Sequence, residues 1–209
     1  MFVLFDRTPH RHAKLIERLA MMRPMTSLIE RELLPATGDI VELRENWIRM
    51  WVDKGHAVSF DGGRITAFRG ICDRGRPMWL VRRSDKRHGY HSLHADPVDA
   101  VEEAQAAWDA RRAGRKRWDE VERFAADLLR GRERLTVTIE DAYDSALCGP
   151  GIEAFLRRIG LGRVRRVSGR VAALMMKLEP QVGFVILVAM DRAAAAEGGA
   201  AQEGLAVAD

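Results

Sequence analysis

Between Ser59 and Arg112 the apolar residues change period from alternation to a helical stripe, and the glycine and proline punctuation changes with them. Val58 to Phe60 and Arg64 to Ile71 flank the Asp61-Gly-Gly63 turn, and Pro77 to Arg82 follows Asp73-Arg-Gly75. With Tyr90 to Leu93 as a further extended piece, this predicts an antiparallel meander of three or four short strands. A helix comes next. Asp96 stands at its cap and Pro97 at its first position, where a missing N–H costs nothing; Asp99, Glu102 and Glu103 suit the positive end of its dipole. Val98, Val101 and Trp108, with Ala104 and Ala107 between them, form its core stripe. The expected fold is α+β: a small antiparallel β-meander packed by helices, with the Pro97 helix on one face and the other face open.

The flanks read as helical. Before the meander, His12 to Met22 and Ser27 to Leu34 are helical candidates, and Ile40, Leu43, Trp47, Ile48 and Trp51 take the spacing of an amphipathic stripe over Ile40 to Val52. Trp47 and Trp51 would share a face of that helix, as core or as a partner-binding patch. After the meander, Trp118 to Leu129 carries Val121, Phe124, Ala125 and Leu128 and stops near Gly131. Leu135 to Ile139 is an extended link, with Thr138 and Asp141 a capping pair for a helix through Leu147. Gly151 to Ile159 starts at Gly149-Pro150 and ends at Gly160, and Ser168 caps Gly169 to Leu178. These form a compact three-helix module, a candidate for the helix-turn-helix class. Val182 to Met190 reads as a strand or buried segment, and the Ala/Gly/Glu composition from Ala193 onward predicts disorder. The domain division is therefore a helical segment (1–57), a meander with two helices (58–134), a helical module (135–190) and a tail (191–209).

Hydrophobic residues make up 47% of the chain, enough for a real core. Cations outnumber acids by 34 to 30, mostly as arginine, which suits forked phosphate contacts. A GC-rich coding sequence would enrich arginine as well. Cys72 and Cys148 belong to no C-x-x-C pair, the start lacks a secretory h-region, and the longest apolar run is too short to span a bilayer. A soluble cytoplasmic protein without a membrane partner is expected.

No enzyme class stands out. His88, His91 and His94 recur every third residue near Cys72 and Asp96, yet on a strand His91 points away from the other two, and no second Cys/His pair completes a zinc shell. Ser168 lacks a nucleophile elbow and reads as a cap. Cys148 precedes a helix start whose dipole could lower a thiol pKa, although a small buried cysteine at a helix joint is the ordinary reading. Phosphate-binding glycine loops are missing, and the carboxylates lie beside arginines on helix faces. No catalytic residue, metal site or cofactor is assigned.

The cations carry the positive signal. Arg64, Arg69, Arg76, Arg82, Arg83, Lys86 and Arg87 cluster on the meander, with Trp79 and Tyr90 placed to stack on a base or sugar. A second block, Arg157, Arg158, Arg163, Arg165, Arg166 and Arg170, has no acid between its first and last members. The solvated surface is the alternative for each block. The meander-then-helix order from Ser59 to Trp108 resembles the amino-terminal DNA-binding modules of phage-type integrases and plant AP2-type domains, in which a three-stranded sheet reads the major groove. Asp141 to Leu161, with its Leu147-Cys-Gly-Pro-Gly151 joint, resembles uncharacterised prophage-associated modules of proteobacteria. With the cation blocks, the expectation is a non-catalytic DNA- or RNA-binding accessory protein bound through Arg64, Arg69, Arg76, Trp79, Arg82, Arg83, Lys86, Arg87, Arg163, Arg165, Arg166 and Arg170, and the second resemblance points its setting to a phage or mobile element. The alternatives are a protein-interaction or self-associating component of a phage-like assembly and, with less behind it, a Cys148 thiol enzyme.

Overall fold

This computed structural model describes residues 39–206 apart from 46 and 87, so the helices expected over His12–Met22 and Ser27–Leu34 lie outside the described residues, as does Arg87. An antiparallel sheet followed by helices makes the chain α+β. Its contacts divide it into a sheet unit, running to Gly89 and resuming over Leu93–Pro97, and a helical unit made of Tyr90–Ser92 and Val98 onward. The helices after the meander thus group with the carboxyl half, a different division from the one the sequence suggests.

In the sheet unit, strands β1 (Ile40–Glu45), β2 (Ile48–Phe60), β3 (Ile65–Cys72) and β4 (Pro77–Arg83) pair in chain order. The helix expected over Ile40–Val52 is instead a hairpin with Ile40 opposite Asp53 and Glu45 opposite Ile48. Strand geometry wins because buried Ile48, Met50 and Val52 alternate with half-buried Arg49 and Trp51, a period of two hidden under the helical spacing of Ile40, Leu43, Trp47, Ile48 and Trp51. Met50, Val52, Met78 and Leu80 share one face, and Ile65, Ala67, Ile71 and Val81 the other; all are at most 5% exposed. Trp51 therefore sits on β2 and does not pair with Trp47 on a helix face. The turns follow their glycines: Asp61, Gly62 and Gly63 have φ of 50°, 61° and 88°, and Gly75 has φ of 74°. Gly70 serves a second purpose, since a Cβ there would stand 2.7 Å from the Trp51 carbonyl oxygen. Between the Val52–Gly70 and Ala57–Phe68 pairs β2 bulges, and buried Asp53 accepts the Gly55 N–H at 2.9 Å across the loop.

In the helical unit, β5 (Tyr90–Ser92) precedes α1 (Pro97–Arg115) and α2 (Trp118–Arg130). Then come β6 (Thr136–Thr138), α3 (Ile139–Tyr143), α4 (Gly149–Arg158), β7 (Arg166–Ser168), α5 (Gly169–Leu178) and α6 (Val182–Ala206). Pro97 opens α1 as its spacing predicts, and Gly131 ends α2 with φ of 72°. The strands β6 and β7 form a two-stranded ribbon with Val137 opposite Val167, and each runs straight into a capped helix. Thr138 and Asp141 form a full capping box, while Ser168 accepts the Val171 N–H. The core joins Val121 and Leu128 of α2, Val137, Ile152 of α4, Ala172 and Ala173 of α5, and Val185 and Ile186 of α6.

Of the two readings of Val182–Met190 the buried segment holds and the strand does not: the stretch is helical, because a helix buried on all sides shows no apolar period to distinguish it from a strand. The stretch from Ala193, expected to be disordered, continues that helix to Ala206; alanine is the strongest helix former, and the buried first turns nucleate it. Two arginines fasten α6 to its neighbours. Arg192 holds the 2% exposed Asp141 carboxylate through Nε at 2.7 Å and Nη2 at 3.0 Å, and also reaches the Thr136 carbonyl. Arg117 bonds Glu120 and Asp191 with two hydrogen bonds each.

Candidate functional site

The meander cations do not assemble into one open face. Register puts Arg69 and Arg83 on the side of Ala67 and Val81, and Arg82 on the opposite side with Leu80. Acids hold several of them. Arg64, in the turn before β3, lies 3.7 Å from Asp61; Arg83 is bidentate on Asp85 at 2.9 and 3.0 Å; Lys86 reaches the same carboxylate at 3.2 Å. Arg82 and Arg76 are half-buried, and burial lowers the Arg82 pKa; Arg69 is the exposed member of the strand set. The aromatic positions are engaged too. Trp79 is half-buried and donates its indole N–H to the Ala95 carbonyl at 3.1 Å. Tyr90 is 4% exposed, which withdraws it from base stacking.

The second block has a different setting. Arg157 and Arg158 close α4, Arg163 and Arg165 lie in the following loop, Arg166 begins β7, and Arg170 is the second residue of α5; all six are exposed. Val167 turns toward Val137, so the alternation of β7 carries Arg166 and Ser168 to the ribbon's outer side. Among the described residues Arg163, Arg165, Arg166 and Arg170 have no carboxylate within 4.0 Å. Arg170 also stands at the positive end of the α5 dipole, where a cation is unfavourable and an anion is welcome.

A third group was not read as a set. Glu103 and Arg111 fall on the buried stripe of α1, in line with Ala100, Ala107 and Gly114. Glu103 accepts the Tyr90 hydroxyl at 3.0 Å and also the Ser92 hydroxyl, so it is a half-buried acceptor and more than a charge for the helix dipole. Arg111 donates to the Ala146 carbonyl at 2.9 Å and lies over the Tyr90 ring. Cys148, the N-cap of α4, stands 3.7 Å from the Nδ1 of His91, which is 1% exposed. The signal was there: two charged residues at core positions of an amphipathic helix need buried partners.

Burial pushes the Cys148 thiol up, against the smaller lowering pull of backbone hydrogen bonds and of Arg111, which reverses the expectation drawn from the helix dipole. Burial and the Glu103 charge likewise raise Tyr90 and keep its phenol protonated. Among the described residues no three His, Cys, Asp or Glu side chains converge as metal ligands, and His88 and His94 are exposed. No described helix is long and apolar enough to cross a membrane. No family model, curated protein or solved structure matches the chain.

Proposed function

We propose that the protein is a non-catalytic nucleic-acid-binding accessory component, of the phage or mobile-element setting that its sequence resemblances suggest, and that it grips the phosphate backbone with Arg163, Arg165, Arg166 and Arg170. One observation carries this reading: four exposed arginines fall within eight residues and have no carboxylate in ion-pair reach among the described residues. Their mutual repulsion is unrelieved within the described chain. Phosphates spaced along a strand would relieve it, and the guanidinium fork matches phosphate geometry. Contacts of this kind position a backbone without reading bases, so affinity should track charge more than sequence. The meander arginines take a lesser part, because Arg64 and Arg83 already have acid partners.

Four phosphate contacts imply an affinity that falls about a hundredfold between 50 and 200 mM salt. Fluorescence anisotropy with a labelled duplex and a labelled single strand measures this directly. Replacing Arg163, Arg165, Arg166 and Arg170 together by glutamine should abolish binding at the higher salt. Absent binding at low salt, or an affinity indifferent to salt, overturns the reading.

A further inference from the structure

We propose that the outward face of α5 docks an acidic amphipathic helix of a partner protein. The residues that pack α5 into the core, Ala172, Ala173 and Met176, lie on one side. On the other side Val171, Leu174 and Leu178 are 36%, 49% and 66% exposed. Their i, i+3, i+7 spacing lines them into one seam, the arrangement by which a helix presents anchors to a second helix. Isolated exposed leucines are ordinary on a protein surface. Three aliphatic side chains in a row, directly opposite the core face of a ten-residue helix, are not what a solvated helix carries.

Charge decides the occupant. Arg170 and Lys177, both exposed and seven residues apart, border the seam on one flank, and α5 contains no aspartate or glutamate. A second copy meeting this face through its own α5 would set Arg170 against Lys177, like charge on like, in antiparallel pairing. In parallel pairing the cationic flank would meet the partner's opposite flank, where α5 carries Met175 and no carboxylate, and the cations would gain no acid. A nucleic acid would satisfy the cations and leave Leu174 and Leu178 in water. A helix with apolar anchors at matching spacing and glutamates on its flank satisfies both requirements at once. Arg170 is shared with the proposed phosphate grip, whereas Lys177, Leu174 and Leu178 are not, so variants at these three test the docking proposal by itself.

The probe is a fluorescein-labelled designed helix of about 18 residues, long enough to hold helical structure, with leucines at i, i+3, i+7 and glutamates on the flanks. Controls are its scrambled sequence and a version with lysine flanks. The full-length protein should bind the acidic helix saturably and at least about tenfold more tightly than either control, and Leu174→Asp with Leu178→Asp should remove that preference. Lys177→Glu should weaken the acidic helix and strengthen the lysine-flanked one, a reversal that a merely misfolded variant cannot produce. Equal binding of acidic and scrambled helices overturns the proposal, as does a double aspartate variant that binds normally. So does a dimer dissolved by Leu174→Asp, or capture of anionic vesicles in place of the helix.

Discussion

In the sheet unit Asp61, Asp85 and Glu42 hold Arg64, Arg83 with Lys86, and Arg49; in the helical unit Asp141 and Asp191 are committed to Arg192 and Arg117, and four arginines from Arg163 to Arg170 have no acid partner among the described residues. Both units are rich in arginine, so composition alone does not distinguish them. What differs is that the helical unit, besides local pairs such as Arg112 with Asp109 and Arg130 with Asp127, holds two pairs distant along the chain. The sheet cations meet acids one to seven residues away, whereas Arg192 and Arg117 reach partners 51 and 74 residues away. Local pairs decorate a surface, and the long-range pairs are part of how the helical unit is assembled.

The sharpest way to break this contrast is to remove one acid from each unit. Asp141→Ala leaves Arg192 without its carboxylate and strips the capping box of α3, and should destabilise the protein by on the order of 3 kcal/mol in urea unfolding. Asp85→Ala removes an exposed acid from Arg83 and Lys86 and should leave the urea midpoint where it was. Equal effects would erase the distinction between surface and assembly pairs. Acidity probes the same carboxylate. Desolvation pushes Asp141 up, but hydrogen bonds from Arg192 and Thr138 outweigh it, so its folded value lies below the ordinary 3.8. A folded value below the unfolded one means that the contribution is complete above the unfolded value and is lost as pH falls through the folded one. The urea midpoint should therefore decline below about pH 4, and Asp141→Asn should flatten that decline.

A smaller effect concerns the thiols. A thiol whose pKa is raised reacts slowly, so the half-buried Cys148 should label with a maleimide at neutral pH much more slowly than it does in denaturant, as should the buried Cys72. Rapid labelling of Cys148 in the folded protein would reopen the thiol-enzyme reading that its geometry disfavours.

What could be read from the sequence was what the backbone itself requires. Gly62, Gly63, Gly75, Gly131 and Gly160 take positive φ and mark turns and helix ends; Thr138 and Ser168 cap helices; Pro97 opens one. Those constraints are local, and the α+β order follows from them. Period was the weaker guide, because it reports a boundary between buried and wet faces. Where no face is wet, as over Val182–Leu187 at the start of α6, period is silent, and over Ile48–Val52 the alternation of buried Ile48, Met50 and Val52 with half-buried Arg49 and Trp51 is too short to outweigh a helical spacing. The proposed site divides in the same way. The acid-free run from Arg157 to Arg170 was visible as spacing, while the neutralisation of Arg83 and Lys86 by Asp85 depends on how one turn folds, and the Glu103 and Arg111 cluster depends on contacts 35 or more residues distant in one case and 11 to 13 in the other.

The ribbon of β6 and β7 also places the helical unit in time. Its strands lie about thirty positions apart, so at ribosomal speed β6 leaves roughly two to six seconds before the partner it needs exists. A five-residue helix cannot sustain itself in water, and the guanidinium that clamps Asp141 arrives later still, from α6. The nascent chain must therefore hold α3 in waiting until its own last helix is made.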